Sequence, residues 1–365
     1  MSSSITRRIE SDHGLTGLFD LLANKLPASD LQSLLLDIYQ TRSQAPALSG
    51  KVSGLLSQAD RGGLLAPSGV EARLFHAFDG AAFTAAAGFE AVDLSPVSPF
   101  GASFALGGTS QNNVLTAVRN VEALGDSTIA LAILSALRRR RSTGDGQVLR
   151  VCASHRVIRL QPVDVPGFTP HFRLFSMVSA GRDTGSYRFE LEQLRQHVEA
   201  YLRLFERLNE IGFAMTDPLI EFADMTVVEA MLAEAGIRRE EVREGIRAHK
   251  LGGTDRFLKE RGVTLPSDVH DPGPGSLAVL NDEVVRPLRR AYPKAEFRIN
   301  LARLEGLGYY RGFTLRISPR APDGIRYPVA DGGFTDWTAR LLSNRKERLL
   351  ISGIGSEFVC KKYRC

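Results

Sequence analysis

The stretch HRVIRLQPVDVPGFTPHFRLFSMVSAG, from His155 to Gly181, decides the fold. Its two ends are rich in apolar and aromatic residues and its centre is polar and proline-rich, so it predicts two strands joined by a loop. An alternation with a period of two places His171, Arg173 and Phe175 on one face of the second strand. Cationic side chains gathered on a sheet are costly unless an anion neutralises them, and an arginine fork suits phosphate or carboxylate. The hairpin therefore predicts a ligand-binding surface, and the alternative is a solvated hairpin with exposed arginines.

The composition predicts one large domain and a small accessory one. The chain has 365 residues, 43% of them hydrophobic, which is enough to bury a full core. No stretch is apolar over the length of a bilayer, and no apolar segment follows the charged N-terminal residues, so we expect neither a membrane span nor a signal peptide. Cys152, Cys360 and Cys365 form no Cys-x-x-Cys pair, which favours a reducing cytoplasm and predicts no metal site.

The charge pattern gives weak support for a nucleic-acid partner. The formal net charge is +5, but the basic residues are spread along the chain. The densest run, Arg138 to Arg141, follows an apolar helical segment, and cations are favourable at a helix C-terminus. We therefore expect these arginines to face solvent at a helix end, and an RNA-binding protein is the weakest of the functions considered.

The N-terminal part predicts a separate helical module. Residues 14–43 show apolar positions recurring at three and four, typical of two amphipathic helices, with Ser29 as a plausible N-cap. A stretch rich in Gly, Ser, Ala and Pro follows as far as residue 69 and predicts a linker. We place the module and its linker at 1–66 and the core at 67–365.

The hairpin resembles motif 2 of class II aminoacyl-tRNA synthetases: an arginine between apolar residues, a loop, then Arg or His and a Phe four positions on. The matching residues here are Arg159, His171 and Phe175, with Gln161 where the family usually has Glu. The resemblance implies that Arg159 holds the α-phosphate of ATP and a carboxylate, and that His171 reaches the γ-phosphate. It places Gln161 and Phe175 against the adenine.

A second segment resembles motif 1 of the same family, which forms the dimer interface. A helix is predicted from about residue 70 to 87, followed by Gly88 and a strand from Val92 to Pro96. The resemblance implies a homodimer built through this region.

Two further segments are similar to the substrate site of histidyl-tRNA synthetases. Asp126 and Thr128 precede an apolar helix and form a plausible N-cap. The alternative is that they match the Glu-x-Thr of that family, whose acid binds the substrate's α-amino group. Tyr309 and Tyr310, in the corner LEGLGYYRG, match the histidine-binding segment.

The same corner departs from the family at three positions. Glu305 replaces the catalytic arginine, Gly308 replaces an aspartate and Arg311 replaces a threonine. Arg311 is therefore a candidate substitute cation, and with Arg159 and His171 it completes the catalytic residues that the resemblance implies.

The last similar segments are Gly-rich. ADGGFTDWT, which contains Asp331, resembles a Gly-Gly segment of the histidyl branch. LLISGIGSEF, with Gly353 and Gly355, resembles motif 3, and Phe358 stands where motif 3 has the arginine that meets adenine and γ-phosphate. The resemblance adds Glu305, Asp331, Gly353, Gly355 and Phe358 to the expected ligand-binding residues.

These segments occur in family order from about residue 70 to 358, and together they imply an α+β fold. We expect a class II synthetase-like antiparallel sheet flanked by helices, a helical insertion at about 185–292 and the small N-terminal helical module. The chain ends shortly after the motif 3-like turn, so no anticodon-binding domain is expected and tRNA is an unlikely partner.

Two functions of different classes follow. The first is a ligand-sensing or regulatory paralogue, similar in kind to the regulatory subunit of ATP phosphoribosyltransferase, which binds an amino acid or a related carboxylate or phosphate and acts on a partner enzyme. The second is a ligase that uses ATP with Mg²⁺ to form an adenylate for an acceptor other than tRNA. The replaced arginines favour the first, because each preorganised cation lost from such a site is worth ~10² to 10³ in rate.

Overall fold

The computed structural model describes residues 3–44, 63–141, 147–161, 169–248 and 253–365. Most of the predicted linker (45–62) and of the motif 2-like loop (162–168) lies outside the described residues. None of the helices in the described ranges combines the length and the apolar character needed to cross a membrane.

The helices in these ranges, in chain order, are α1 (Ser4–Asp12), α2 (Leu18–Asp20, continued by a π-helical turn, Leu21–Lys25), α3 (Ala28–Gln44), α4 (Ala72–Ala85), α5 (Ala102–Ala105), α6 (Ser127–Arg141), α7 (Arg188–Glu210), α8 (Met225–Glu234), α9 (Arg239–Ala248), α10 (Gly253–Glu260), α11 (Ser276–Leu280, continued by a π-helical turn, Asn281–Val285), α12 (Arg286–Ala291), α13 (Trp337–Leu341) and α14 (Ser356–Lys362). The strands are β1 (Glu90–Ala91), β2 (Val97–Pro99), β3 (Thr116–Ala117), β4 (Val121–Ala123), β5 (Leu149–Ile158), β6 (His171–Arg182), β7 (Thr216–Asp224), β8 (Glu296–Ile299), β9 (Phe313–Arg320), β10 (Ala330–Thr335) and β11 (Glu347–Ile354).

Eight of the strands form one large sheet in the order β1-β5-β6-β11-β10-β9-β7-β8. The two outermost pairs, β1 with β5 and β7 with β8, are parallel, and the pairs between them are antiparallel. The three remaining strands form a small sheet in the order β2-β4-β3. The predicted α+β fold, an antiparallel sheet flanked by helices, is confirmed.

The predicted hairpin is the pair β5 and β6, with Ile158 opposite His171 at the loop end and Leu149 opposite Ala180 at the other. Its register fixes what each face of the sheet meets. On one face Phe175 packs edge-on against Phe83 of α4, with ring centroids 5.5 Å apart. On the other face Ser176 hydrogen-bonds Ser127 of α6 through their hydroxyls at 2.6 Å.

The motif 1-like region differs from its prediction. The helix is present as α4, but residues 92–96 are not a strand, and short strands lie on either side of them as β1 and β2. Pro96 has no N–H to donate to a sheet, and a proline also restricts the residue before it. The pairing of this segment with β5 ends at Val92, whose backbone N donates to Cys152 O at 2.9 Å.

The segment predicted as a helical insertion, 185–292, contains helices α7 to α12 and also β7, which joins the large sheet. A strand from Pro218 to Ala223 is predicted by the sequence, and the observed strand is slightly longer at both ends. Part of this segment, 249–252, lies outside the described residues.

The N-terminal module contains the two predicted helices, α2 and α3, and one further helix, α1. Ser29 lies inside α3, not before it. None of the three helices buries a residue. A hydrogen bond from Asn120 Nδ2 to Gln32 Oε1, at 3.0 Å, links α3 of the module to the core.

A buried polar network ties α7 to the sheet. The imidazole of His197 is fully buried and lies between the hydroxyls of Ser179, at 2.9 Å, and Ser352, at 2.8 Å. The Tyr201 hydroxyl also donates to Ser352 Oγ at 2.9 Å. Burial, assisted by the charge of Arg150, lowers the pKa of His197 to about 3.

The shifted pKa makes stability depend on pH. Between about pH 3 and 6.5 the unfolded chain binds a proton at His197 that the folded chain does not, so acid destabilises the fold. Lowering the pH from 7.5 to 5 should remove about 2 kcal/mol of unfolding free energy through this residue. We expect urea unfolding of His197→Gln to show a weaker dependence on pH by that amount. His270→Gln, which changes an exposed imidazole, is the control, and an equal dependence in both variants would contradict the assignment.

Candidate functional site

A cavity of about 550 Å³ opens on one face of the sheet, where β9, β10 and β11 meet the hairpin and the start of α6. We call it the Arg159 cavity. Nine of the predicted site residues line it: Asp126, Thr128, Arg159, Gln161, Tyr309, Tyr310, Asp331, Gly353 and Gly355.

Arg159 follows directly after β5 and is oriented by three contacts. Its Nε donates to the carbonyl of Gly125 at 2.8 Å, and its Nη2 lies 3.5 Å from Asp126 Oδ2. The guanidinium also lies over the ring of Phe172, 5.1 Å from the centroid. Its side chain remains 42% exposed, so a ligand in the cavity can reach it.

Asp126 uses its two carboxylate oxygens for two purposes. Oδ1 accepts from the backbone N and the hydroxyl of Thr128, at 2.9 and 2.8 Å, which caps α6. Oδ2 faces Arg159. The N-cap and the binding-site interpretations of Asp126 are therefore compatible, because each needs only one oxygen.

Tyr309 and Tyr310 lie edge-on to each other with centroids 4.9 Å apart, and Tyr309 also contacts Trp337 at 5.5 Å. Burial raises the pKa of Tyr309 well above its usual value, and the nearby Asp126 carboxylate acts in the same direction. Burial and the charge of Asp331 do the same for the pKa of Tyr310. Both phenols therefore stay neutral at physiological pH.

Asp331 is held by a buried arginine that the sequence analysis did not single out. Arg303 is 2% exposed and pairs with Asp331 Oδ1, while its Nη1 donates to the carbonyl of Leu315 at 3.0 Å. The Tyr310 hydroxyl lies 3.4 Å from Asp331 Oδ2. The sequence signal that could have identified Arg303 is a charged residue within the apolar run around 301–304, because a buried cation needs a partner.

Arg316 is a second residue that the sequence analysis missed. It lies on β9 opposite Asp331 of β10 and lines the Arg159 cavity. Its Nη2 donates to Glu305 Oε2 at 3.0 Å. Glu305 itself does not line the cavity. It lies at the edge of the site, where it pairs with Arg316. An arginine in the apolar strand FTLRIS was the sequence signal.

His171 and Phe175 do not reach the cavity, contrary to the motif 2 comparison. The His171 ring accepts from Arg156 Nη1 at 2.9 Å, and its Nε2 lies 2.7 Å from the carbonyl of Ala66, to which it donates. Phe175 is 1% exposed beneath α4. The cause is the period of two, because Leu174 and Ser176 of β6 face the cavity and their odd-numbered neighbours face away.

Arg311 and Phe358 also lie elsewhere. Arg311 lines a different cavity, where its Nε is 3.9 Å from Asp336 Oδ2. Phe358 packs edge-on against Tyr327 with centroids 5.6 Å apart. Neither Arg311 nor Phe358 therefore lines the Arg159 cavity, where the resemblance implies that both would lie.

The described residues do not fit ATP in the way that the resemblance implies. Phe175 and Phe358, expected on either side of an adenine, are packed against other aromatic rings. His171, expected at a γ-phosphate, is hydrogen-bonded on the opposite face. No group of three or more His, Cys, Asp or Glu side chains in the described ranges is placed to hold a metal ion.

Comparison with solved structures shows what fold surrounds this cavity. The chain is similar to an ATP phosphoribosyltransferase regulatory subunit/histidyl-tRNA synthetase from Bacillus halodurans, with a TM-score of 0.57 and 11% identity over 81% of this chain and 82% of that one. It is similar to a histidine–tRNA ligase subunit from Alicyclobacillus acidocaldarius, with a TM-score of 0.56 and 16% identity over 81% and 96%. It is also similar to a histidyl-tRNA synthetase from Nostoc, with a TM-score of 0.54 and 16% identity over 82% and 74%.

These similarities confirm the predicted class II synthetase-like fold. No protein-family model matches the chain, and no curated protein matches it by sequence. Structural similarity at such low sequence identity establishes the fold and leaves the function to be argued from the site.

Two glycines make room for Tyr310. A Cβ on Gly333 would lie 2.6 Å from the Tyr310 ring, and a Cβ on Gly306, which has a φ of +91°, would lie 2.5 Å from it. The backbone of both segments therefore approaches the ring more closely than any other residue type allows.

We expect Gly333→Ala to displace Tyr310 from the cavity wall and to lower the unfolding free energy by roughly 1 to 3 kcal/mol, because overpacking forces neighbours out of position. Gly80→Ala is the matched control. Its Cβ would meet nothing within 4 Å, and it lies inside α4, so it should stabilise the protein by up to about 1 kcal/mol. Urea unfolding measures both changes, and a neutral Gly333→Ala would contradict the close packing.

Proposed function

We propose that this class II synthetase-like chain binds a free amino acid, or a closely related small carboxylate, in the Arg159 cavity as a ligand sensor. The observation that carries the proposal is the juxtaposition of Arg159 and Asp126, whose charged atoms are 3.5 Å apart in a cavity of ligand size. An α-amino acid carries one negative and one positive group within a few bonds of each other. An arginine beside an aspartate matches both.

The roles follow from the contacts already made. Arg159 Nε is occupied by the Gly125 carbonyl, so its terminal nitrogens are the donors for a ligand carboxylate. Asp126 Oδ1 is occupied by Thr128, so Oδ2 is the acceptor for a ligand ammonium group. The two neutral phenols at 309 and 310 offer hydrogen bonds without adding charge.

The charge balance supports binding over adenylate chemistry. Among the described residues, the charged ones that line the cavity are two arginines, Arg159 and Arg316, and two aspartates, Asp126 and Asp331. A nucleoside triphosphate carries about four negative charges, and such a site offers no excess of cations to compensate them. A zwitterion requires none.

A regulatory role in the cytoplasm, exerted on a partner enzyme, is part of the same proposal. It rests on the altered positions 305 and 358, where the histidyl branch has arginines and this chain has Glu and Phe. A protein that binds a ligand but lacks the cations needed to activate it is better suited to sensing that ligand than to converting it.

Calorimetric titration with each free amino acid in turn tests the binding proposal. We expect at least one to bind, and Arg159→Ala and Asp126→Asn each to weaken it about ten- to a hundredfold, since each removes a charge-assisted hydrogen bond. Arg73→Ala, which changes an exposed arginine on α4, is the control. Absence of binding by every amino acid, or equal affinity in Arg159→Ala, would reject the proposal.

The alternative, an ATP-dependent ligase, is favoured by one observation, the presence of Arg316 as a second cation in the cavity. ATP–pyrophosphate exchange separates the alternatives, because only an adenylate-forming ligase exchanges label in the presence of its substrate. We expect no exchange above background with any amino acid that binds. Exchange that Arg316→Ala abolishes would establish the ligase.

We further propose a homodimer, with its interface shifted from the predicted position. The inner face of α4 is covered within the chain, because Phe75 and Phe78 are buried. The small sheet and its flanking residues instead expose apolar side chains, among them Phe100 at 55% and Phe104 at 64%. This surface adjoins the motif 1-like region, which continues into β2.

Light scattering should therefore give twice the chain mass of 39.9 kDa. The double change of Phe100 and Phe104 to Glu should yield monomers, because two carboxylates cannot be desolvated in an apolar interface without partners. Phe19→Glu, in the N-terminal module, should leave the dimer intact. A monomeric parent, or a dimer that survives the double change, would disprove this interface.

A further inference from the structure

The floor of the Arg159 cavity is a row of residues that lie opposite each other on neighbouring strands. Ser176 of β6 lies opposite Gly353 of β11, and Gly353 lies opposite Asp331 of β10. Asp331 in turn lies opposite Arg316 of β9. Directly opposite residues of antiparallel strands face the same side of a sheet. Because Gly353 has no side chain, the floor is open in the middle, and the side chains of Asp331 and Arg316 form what we call the far wall.

The two residues of the far wall have opposite charges, yet each is paired with a different partner. Asp331 pairs with the buried Arg303, and Arg316 Nη2 donates to Glu305 Oε2 at 3.0 Å. Asp331 and Arg316, both within the part of the chain that the structure describes, form no ion pair with each other. Each charge is therefore neutralised from outside the cavity, and the far wall has no net charge to select an ionic ligand group.

Both residues of the far wall can still bond a ligand. Asp331 Oδ1 is held by Arg303, whereas Oδ2 has only a long contact, of 3.4 Å, with the Tyr310 hydroxyl, and the side chain is 51% exposed. In Arg316, Nη2 is engaged by Glu305, and the other nitrogens donate to no residue that the structure describes. The far wall therefore presents one acceptor and one donor to the cavity.

The two tyrosines connect the far wall to the amino-acid site. The Tyr310 hydroxyl contacts Asp331, and the Tyr310 ring packs edge-on against Tyr309 with centroids 4.9 Å apart. Burial raises the pKa of Tyr309, and the carboxylates of Asp126 and Asp331 both act in the same direction, so this phenol is close to both. A ligand whose ammonium group is held at Asp126 can therefore direct its side chain towards Asp331.

The chemistry of the far wall discriminates between side chains. A carboxylate would be attracted by Arg316 and repelled by Asp331, and an ammonium group would experience the reverse. An apolar side chain would desolvate both ionic groups and bond neither, which is costly. A carboxamide is neutral, with an NH₂ donor and an oxygen acceptor, so it can bond both residues at once.

We propose that the ligand of the Arg159 cavity is an amino acid with a carboxamide side chain, glutamine or asparagine. The amide NH₂ group donates to Asp331 Oδ2, and the amide oxygen accepts from Arg316. This inference rests on the proposed function and adds to it the two residues that select the side chain.

Calorimetric titration of the full chain with matched amino acids tests the proposal. Glutamate and methionine resemble glutamine in length, and aspartate and leucine resemble asparagine in size. We expect one of the two amides to bind about tenfold or more tightly than both of its counterparts and than histidine, since each counterpart loses a charge-assisted hydrogen bond. Binding without this preference, or tightest binding of histidine, would overturn the carboxamide assignment and leave the proposed function standing. Absence of binding by every amino acid would reject both.

Variants of the far wall locate the preference. Arg316→Met keeps the length of the side chain and removes the donor, so the preference for the amide over its apolar counterpart should fall to about twofold or less. Arg320→Met, on the same strand and outside the cavity lining, is the matched control and should keep the preference. A preference that Arg316→Met leaves unchanged would overturn the proposal.

A second variant tests the other residue of the far wall. Asp331→Asn removes the repulsion of a carboxylate, so the acidic counterpart should gain about tenfold or more in affinity relative to the amide. An unchanged ratio in the folded variant would contradict the role of Asp331. If Asp331→Asn does not fold because Arg303 loses its partner, the comparison of Arg316→Met with Arg320→Met decides alone.

Discussion

The whole structure depends on the fact that successive side chains of a strand point to opposite faces, in a sheet covered on both faces. A residue of β6 therefore either packs under α4 and α7 or faces α6 and the Arg159 cavity. Phe175 and Ser176 are neighbours in the chain, yet one is buried against Phe83 and the other hydrogen-bonds Ser127. Because the period is two, a one-residue difference in alignment exchanges every side chain of the strand between core and site.

This constraint explains which parts of the site could be predicted from the sequence. Arg159, Asp126 and Tyr309 lie at the ends of elements or in turns, where the order of the segments along the chain is enough to bring them together. His171 and Phe175 lie within a strand, so their placement requires the register, and a short motif with a loop of uncertain geometry does not fix it. The α+β architecture depends neither on the strand register nor on the loop geometry, since apolar alternation and helix signals are enough to define it.

The residues that the sequence analysis missed share a different physical origin. Arg303 and Arg316 are separated by thirteen positions in sequence, but each pairs with a carboxylate at the margin of the cavity, Asp331 or Glu305. Such pairs arise from the juxtaposition of β9, β10 and the corner before them, which no local pattern records. What the sequence does contain is the anomaly of an arginine in an apolar segment. A buried cation there requires a nearby carboxylate, although the sequence does not say which one.

The exchange of charge at the corner bears on what the fold does in this chain. If this chain followed the family pattern, position 305 would carry an arginine free to meet a phosphate. Here the position carries Glu305, and the guanidinium of Arg316 reaches the cavity from β9 instead. That guanidinium is already bound to the Glu305 carboxylate at 3.0 Å. To stabilise charge in a transition state, a cation must be preorganised and uncompensated, because breaking an existing ion pair consumes the interaction that it would supply. This ion pair leaves the guanidinium little capacity to drive chemistry, which agrees with the proposal that the cavity recognises a ligand and releases it unchanged.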